Sequence, residues 1–311
     1  MTTSDAVTVH TPREVPLGGP RAMTVRRTIP SRHRSFIGAW CFIDHYGPDR
    51  VADSGGMDVP PHPHTELQTV TWLFEGEVEH RDSGGAHGLV RPGEVNLMTS
   101  GRGICHSEVS TAGTDVLHGV QLWVVLPEHA KHAPRRFEHY EPPTVRFDGG
   151  TVKVFLGSLA GSTSPVQTHT PLLGAEVHLA PGAAWQVDVD PGYEHGVLVD
   201  RGAITLDGTA LAKDELGTVD AGPASLTLVN TSDEAARLML LGGPPFEESI
   251  VMWWNFIGRT HDDVIAYRDE WNARSEHFGR VEGYDDQDTW LRAPDLPHVR
   301  LKPRNRLGRT G

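Results

Sequence analysis

Cysteine is scarce in this chain of 311 residues: Cys41 and Cys105 are its only two, too few for a disulfide framework and consistent with a reducing cytoplasm. Positive charge is also short. Lysine and arginine number 28 against 41 acidic residues, for a formal net charge of -13. A field of that sign argues against nucleic acid as the main partner, because phosphate binding needs a positive surface. No stretch approaches the ~20 consecutive apolar residues of a membrane span, and the opening MTTSDAVTVH contains no apolar run. The chain therefore reads as a cytoplasmic globular protein without a membrane segment. A local excess of positive charge, Arg300, Lys302, Arg304, Arg306 and Arg309, reads as a solvated, mobile tail.

Glycine (34) and proline (23) are plentiful. That richness suits many short strands joined by tight turns rather than long helices. From about Met23 to Val125, apolar runs such as SFIGAWCFIDHYG, LQTVTWLFEGEVEHRDS, GLVRPGEVNLM and VLHGVQLWVVLP alternate with turn signals. The runs are rich in β-branched and aromatic residues, and their close spacing predicts an antiparallel sandwich or barrel. The pattern loosens after Pro134 and resumes at Gly150 with TVKVFLG, followed by AEVHLA, AWQVDV, HGVLVDRGAITL, ASLTLVN and ARLMLLGG. Two barrel units in tandem account for this repetition. The expected division is an arm over 1–20, a first barrel over 21–135, a second over 136–245 and a C-terminal segment over 246–311. In that last segment Thr260 and Asp263 form a capping-box pattern, and Val264, Tyr267, Arg268 and Trp271 share one helical face. A helix over about 261–276 follows, with Trp271 buried against a barrel.

Histidine is the informative excess: 12 of the 18 lie in the first 150 residues. His62 and His64 in PPHPHTELQTV are two apart, so on a strand both imidazoles point to one side. Pro60, Pro61 and Pro63 cannot donate to a ladder, which places that strand at an edge or a barrel mouth. His106 and Glu108 in GRGICHSEVS repeat the spacing. Either pair alone is as well a polar strand face. Paired antiparallel, the two strands bring three imidazoles and a carboxylate together, a set that suits iron, manganese, cobalt, nickel, copper or zinc. Four such ligands leave coordination positions open at a five- or six-coordinate ion, as catalysis requires.

The two pairs sit in a longer pattern. Five residues separate Gly56 from His62, and twelve separate Gly93 of the Pro92-Gly93 turn from His106. This resembles the paired metal motifs of the cupin superfamily. The strings HPH…TVTWLFEG, PGEVNLMTSGRGICHSE and FIDHYGP resemble the pirin family in particular, densely over about 20–130 and more loosely to about 245. The resemblance implies an all-β fold of two cupin-type jelly-roll barrels with a short C-terminal helix. It implies His62, His64, His106 and Glu108 as ligands of one divalent transition metal, usually iron, with no metal in the second barrel. There His169, His178 and His195 form no H-x-H pair. Where pirins commonly carry Glu, this chain has Gln68, a poor ligand and at best a support for the ligands.

Among the remaining candidates, His45 reads as a packing or turn residue, Cys105 as pointing away from the metal, and His80 and His87 as solvated hairpin positions. Trp72, Phe74, Met98 and Trp123 read as core, with some lining an apolar pocket. Trp253 and Trp254 cannot both be buried on one strand. The resemblance points first to a metal-dependent dioxygenase acting with O2 on a small aromatic substrate, a flavonol such as quercetin or a related enol, with Glu108 holding the metal and accepting the substrate's hydroxyl proton. The alternative is a non-catalytic, iron-responsive regulator acting through a protein partner.

Overall fold

The computed structural model describes residues 7–17, 23–284 and 289–309. The short apolar runs closed by Gly, Pro or Asp do form strands, and they gather into two compact units. One contains the described residues of 14–35, 41–139 and 247–311; the other contains those of 1–13 together with 36–40 and 140–246.

The first strand of the chain, β1 (Thr8–His10), belongs to the latter unit. In the former, β2 (Arg13–Leu17), β3 (Met23–Ile29), β4 (Trp40–Arg50), β6 (Leu67–Glu75), β9 (Val95–Thr99), β11 (Val116–Val125) and β12 (Arg136–Tyr140) make a sheet ordered β12-β9-β6-β11-β4-β3-β2. A second sheet, ordered β5-β10-β7-β8, contains β5 (Asp58–His64), β7 (Val78–Asp82), β8 (His87–Val90) and β10 (Ile104–Ser110). The sheets close on a shared core. Val25, Tyr46, Leu73 and Leu117 come from the larger sheet and Val59, Val78 and Val90 from the smaller. Proline-rich β5 is an edge strand, as a segment short of N–H donors must be.

The turn before β10 depends on glycine. Gly101 holds a φ of +53°, and a Cβ there would lie 1.8 Å from the Ala133 carbonyl oxygen. Only glycine fits the GRGICHSE string at that point.

The other unit repeats the plan. Its larger sheet runs β1, Leu216–Val219, Glu194–Arg201, Ala236–Gly243, Leu173–Leu179, Gly150–Leu156 and Thr144–Phe147. Its smaller sheet runs Ala184–Asp188, Ser225–Asn230, Ile204–Leu206 and Thr209–Leu211. Val154, Val177, Val199, Leu226 and Leu240 pack at its centre, and the chain is thus two tandem jelly-roll barrels.

Two terminal stretches are more structured than their composition suggests. β1 pairs antiparallel with Leu216–Val219, and the His10 ring lies 2.9 Å from the Thr218 hydroxyl. Within the basic stretch, Arg304–Asn305 pairs with Gly308–Arg309, and Ile250 and Arg304 exchange backbone hydrogen bonds of 3.0 and 2.8 Å. Backbone pairing, not the side-chain charge, decides the conformation there, so Arg304–Arg309 is not a free tail.

Beyond the single helical turn α1 (Val51–Ser54), helix α2 (His261–Asn272) starts on the expected capping box: Asp263 N–H donates to Thr260 Oγ1 at 3.1 Å, and Thr260 N–H to Asp263 Oδ2 at 2.7 Å. Val264 and Trp271 are its buried residues. Trp271 donates to the Leu291 carbonyl at 2.8 Å and meets Trp290 and Phe278 edge-on. The helix stops short of residue 276 because Arg274 takes a left-handed φ of +53°. No helix among the described residues is long and apolar enough to cross a membrane.

Candidate metal centre

β5 and β10 pair antiparallel with His106 opposite His62 and Ile104 opposite His64; an irregularity in β5 then sets Glu108 against Val59. His62, His64 and His106 converge. Their ring centroids are 4.3 Å (62–106), 5.0 Å (64–106) and 5.0 Å (62–64) apart. All three are buried, as is Glu108. Each of the three offers a ring nitrogen within 4.8 Å of the others, and Glu108 joins an overlapping group with His106 and His80.

The protons on these rings can be placed by following the acceptors. His62 Nδ1 is 3.0 Å from the Pro60 carbonyl, and His64 Nδ1 is 3.0 Å from the Asn255 carbonyl. A carbonyl only accepts, so each Nδ1 carries the proton and each Nε2 presents a lone pair. His64 Nε2 lies 3.1 Å from His106 Nε2. Burial, with the neighbouring rings, drives all three away from the charged form, His62 to about 4 and His64 and His106 well below their ordinary value. Neutral imidazoles with ring nitrogens within 4.8 Å of one another, beside a carboxylate, are the donor types of a first-row divalent ion, and the residues fit one.

A cavity of about 340 Å3 opens on this cluster, lined among others by His62, His64, Glu108, Gln121, Phe42, Trp123 and Trp254. Trp123 stands edge-on to His64 at 5.0 Å, Phe42 stacks on Trp123 at 4.1 Å, and the Arg27 guanidinium covers Phe42 at 4.1 Å. Arg27 spends its charge on Asp44 through bonds of 2.6 and 2.7 Å, which leaves an apolar aromatic wall. Opposite, Thr71 Oγ1 lies 2.9 Å from Gln121 Oε1 and 3.5 Å from Glu108 Oε1. Its single proton favours the shorter bond, so its hold on Glu108 is weak. Burial pushes the Glu108 carboxyl upward, against the pull of His80 and Thr71.

The structure corrects two readings. His80 is not solvated but buried, 3% exposed, with Nδ1 3.3 Å from His106 Nδ1 and Nε2 3.2 Å from Asp82 Oδ2. Gln68 does not support the ligands. It donates to Thr99 Oγ1 at 2.9 Å, while Thr69 and Thr71 take the alternate face of β6. Cys105 does turn away, into a cluster with Phe256, Trp271 and Phe278, where burial pushes its thiol up to about 11. His87 is exposed beside Glu79, and His45 packs on His118 and Phe74. Trp72 and Met98 are core. Trp254 reaches the cavity from a turn in which it holds a strained φ of +52°, and the next residue, Asn255, presents its carbonyl to His64. In the other unit, His178 pairs with Glu176 at 2.5 Å, and His195 is buried with no hydrogen-bond partner among the described residues at either ring nitrogen.

Two jelly-roll barrels, one with a histidine-carboxylate cluster at its cavity, define a protein with two cupin domains. The pirin family model matches residues 22–124, and the model of the pirin C-terminal cupin domain matches residues 174–279. The chain belongs to the pirin family. It is 39% identical to a Pseudomonas aeruginosa protein provisionally named quercetin 2,3-dioxygenase, over 92% of this chain and 90% of that protein. Human pirin is 28% identical over 86% of this chain and 90% of its own length. The crystal structure of quercetin 2,3-dioxygenase from Acinetobacter baumannii superposes with a TM-score of 0.88 at 37% identity, covering 94% of this chain and 96% of that one.

Proposed function

We propose that this protein is a metal-dependent dioxygenase whose substrate is a flavonol such as quercetin or a related aromatic enol. His62, His64, His106 and Glu108 would hold the ion, and iron is the metal proposed. The observation that carries this reading is the gathering of His62, His64 and His106, with Glu108 in an overlapping group at His106, beside an aromatic-walled cavity of about 340 Å3, a size that suits a small-molecule ligand. The relatives named for quercetin dioxygenation support the same substrate class.

When bound, the ion would supply Lewis-acid activation of a substrate oxygen and a meeting point for O2. The chain's own residues do the rest. Trp123, backed by the Phe42 ring stacked on it, gives a planar aromatic substrate an apolar wall that excludes water. Glu108 Oε1, which Thr71 reaches only at 3.5 Å, can accept the proton of a substrate hydroxyl. The carbonyls of Pro60 and Asn255 keep His62 and His64 facing the centre.

Oxygen uptake by the iron-loaded protein across a flavonol and catechol panel tests the proposal. Uptake with at least one flavonol, abolished in His106→Ala, is expected. No uptake across the panel with the metal fully loaded would overturn the dioxygenase reading.

A further inference from the structure

Two buried side chains behind the metal cluster take no part in the function proposed above. β7 runs antiparallel to β10, with Asp82 opposite His106 and His80 opposite Glu108. His80 and Asp82 are two apart on β7 and share its inward face. Their side chains are 4% and 2% exposed. Asp82 is held by its own hairpin: its Oδ1 accepts the backbone N–H of Gly84 at 2.8 Å and of Ala86 at 3.1 Å. Its Oδ2 is aimed at His80 Nε2, 3.2 Å away. The His80 ring is clamped from the side by Phe137, stacked at 4.7 Å.

We propose that Asp82 and His80 form a positioning relay that fixes the tautomer of His106. Each neutral ring carries one proton, and the acceptors around it decide where that proton sits. The Asp82 carboxylate accepts and does not donate, so the His80 proton sits on Nε2. His80 Nδ1 is then bare, and at 3.3 Å from His106 Nδ1 it accepts a proton from that atom. An ion held there would take the lone pairs of both His106 Nε2 and the bare His64 Nε2, which are 3.1 Å apart; without an ion the same contact is a hydrogen bond that competes for the His106 proton. A carboxylate hydrogen-bonded to a metal-ligating histidine is a common supporting arrangement. Here a second imidazole is inserted between the two, and the information about tautomer passes through it. His80 and Asp82 would not touch the substrate.

The relay makes a prediction that a packing role does not. Asp82→Asn keeps Oδ1 for the hairpin and places an NH2 where Oδ2 was. That NH2 donates to His80 Nε2, moves the His80 proton to Nδ1 and drives the His106 proton to Nε2, which removes a metal lone pair. A comparable carboxylate-to-amide change in a serine protease leaves geometry intact and installs the wrong tautomer. His80→Phe keeps a ring against Phe137 but loses the acceptor. His80→Asn restores an acceptor oxygen near the Nδ1 position while being a poor ligand itself.

This inference rests on the metal reading only through His106, so its test has one arm without metal. Histidine 15N spectra of metal-free His64→Ala, which lacks the competing acceptor at Nε2, with the His106 signals identified by their loss on adding His106→Gln, should show protonated Nδ1 and bare Nε2. With Asp82→Asn added, the pattern at His106 should invert. Chelator competition with Co(II), in the chain that retains His64, should then give a 10- to 100-fold weaker affinity for His80→Phe, an equal or larger loss for Asp82→Asn, and recovery of most of it in His80→Asn. Metal-free melting temperatures should stay within a few degrees for all three. A His106 protonated at Nε2 in metal-free His64→Ala, or Co(II) affinities of His80→Phe and Asp82→Asn within twofold of wild type, would overturn the relay. A wild type that binds no Co(II), with the bare Nε2 still seen in His64→Ala, would support the relay while removing the metal reading.

Discussion

Replacing Glu108 by glutamine should move two properties in opposite directions. The side chain is 6% exposed, and burial outweighs the attraction of His80 and the Thr71 hydrogen bond in setting its carboxyl above the usual range. In the metal-free chain a carboxylate there is a buried charge only partly compensated. Glutamine keeps its shape and lacks its charge, so metal-free Glu108→Gln should be more stable by on the order of 1 kcal/mol. For a chain of this size that is a rise of roughly 2–4 °C in melting temperature. With metal the sign reverses. Losing one charge of a buried pair costs about 2–4 kcal/mol, which is roughly 30- to 700-fold in affinity at 1.4 kcal/mol per factor of ten. Calorimetric melting in chelator and Co(II) competition on the same preparation read the two effects. A metal-free variant less stable than wild type, with Co(II) affinity unchanged, would show that Glu108 is a structural side chain and refute the reasoning.

Three further outcomes follow from the fold. Thr260→Ala breaks the capping box and should cost about 1 kcal/mol in a denaturant titration; a change under about 0.3 kcal/mol would mean that Trp271 alone holds α2. Gly101→Ala combines a left-handed φ with a Cβ 1.8 Å from the Ala133 carbonyl, so it should destabilise by more than about 2 kcal/mol. A melting temperature equal to wild type would contradict the turn geometry. Cys41 and Cys105 are buried, with the Cys105 thiol pushed up to about 11 by burial and Cys41 higher still. At pH 7 a thiol-disulfide reagent should label neither until denaturant is added, and rapid labelling of the native protein would count against their burial.

The clustering of His62, His64 and His106 beside Glu108 was legible because strand period and spacing carry it: His62 with His64, and His106 with Glu108, are i, i+2 pairs, and antiparallel pairing is the simplest way to join them. The capping box likewise announced α2 from four residues. What escaped depends on register. His80 and Asp82 are also an i, i+2 pair, but only the pairing of β7 with β10 gives them His106 as a neighbour. The glycines around them suggested water instead. Gln68 failed for a related reason. Glu66, at a φ of +56°, turns the chain between β5 and β6, so the parity of His62 and His64 does not continue into β6. Thr8–His10 finds its partner strand more than 200 residues away, a distance no local pattern bridges. The Asn255 carbonyl that orients His64 is backbone, and side-chain motifs cannot reveal it.

The central claim is that His62, His64, His106 and Glu108 hold one ion. Metal analysis with X-ray absorption at the metal edge, on the protein as purified and after loading with iron, tests it most directly. About one ion per chain is expected, in a nitrogen- and oxygen-only shell near 2.0–2.2 Å, lost in both His64→Ala and His106→Ala. Stoichiometric metal that persists in those variants, or no metal after loading with iron or any other first-row divalent ion, would contradict it.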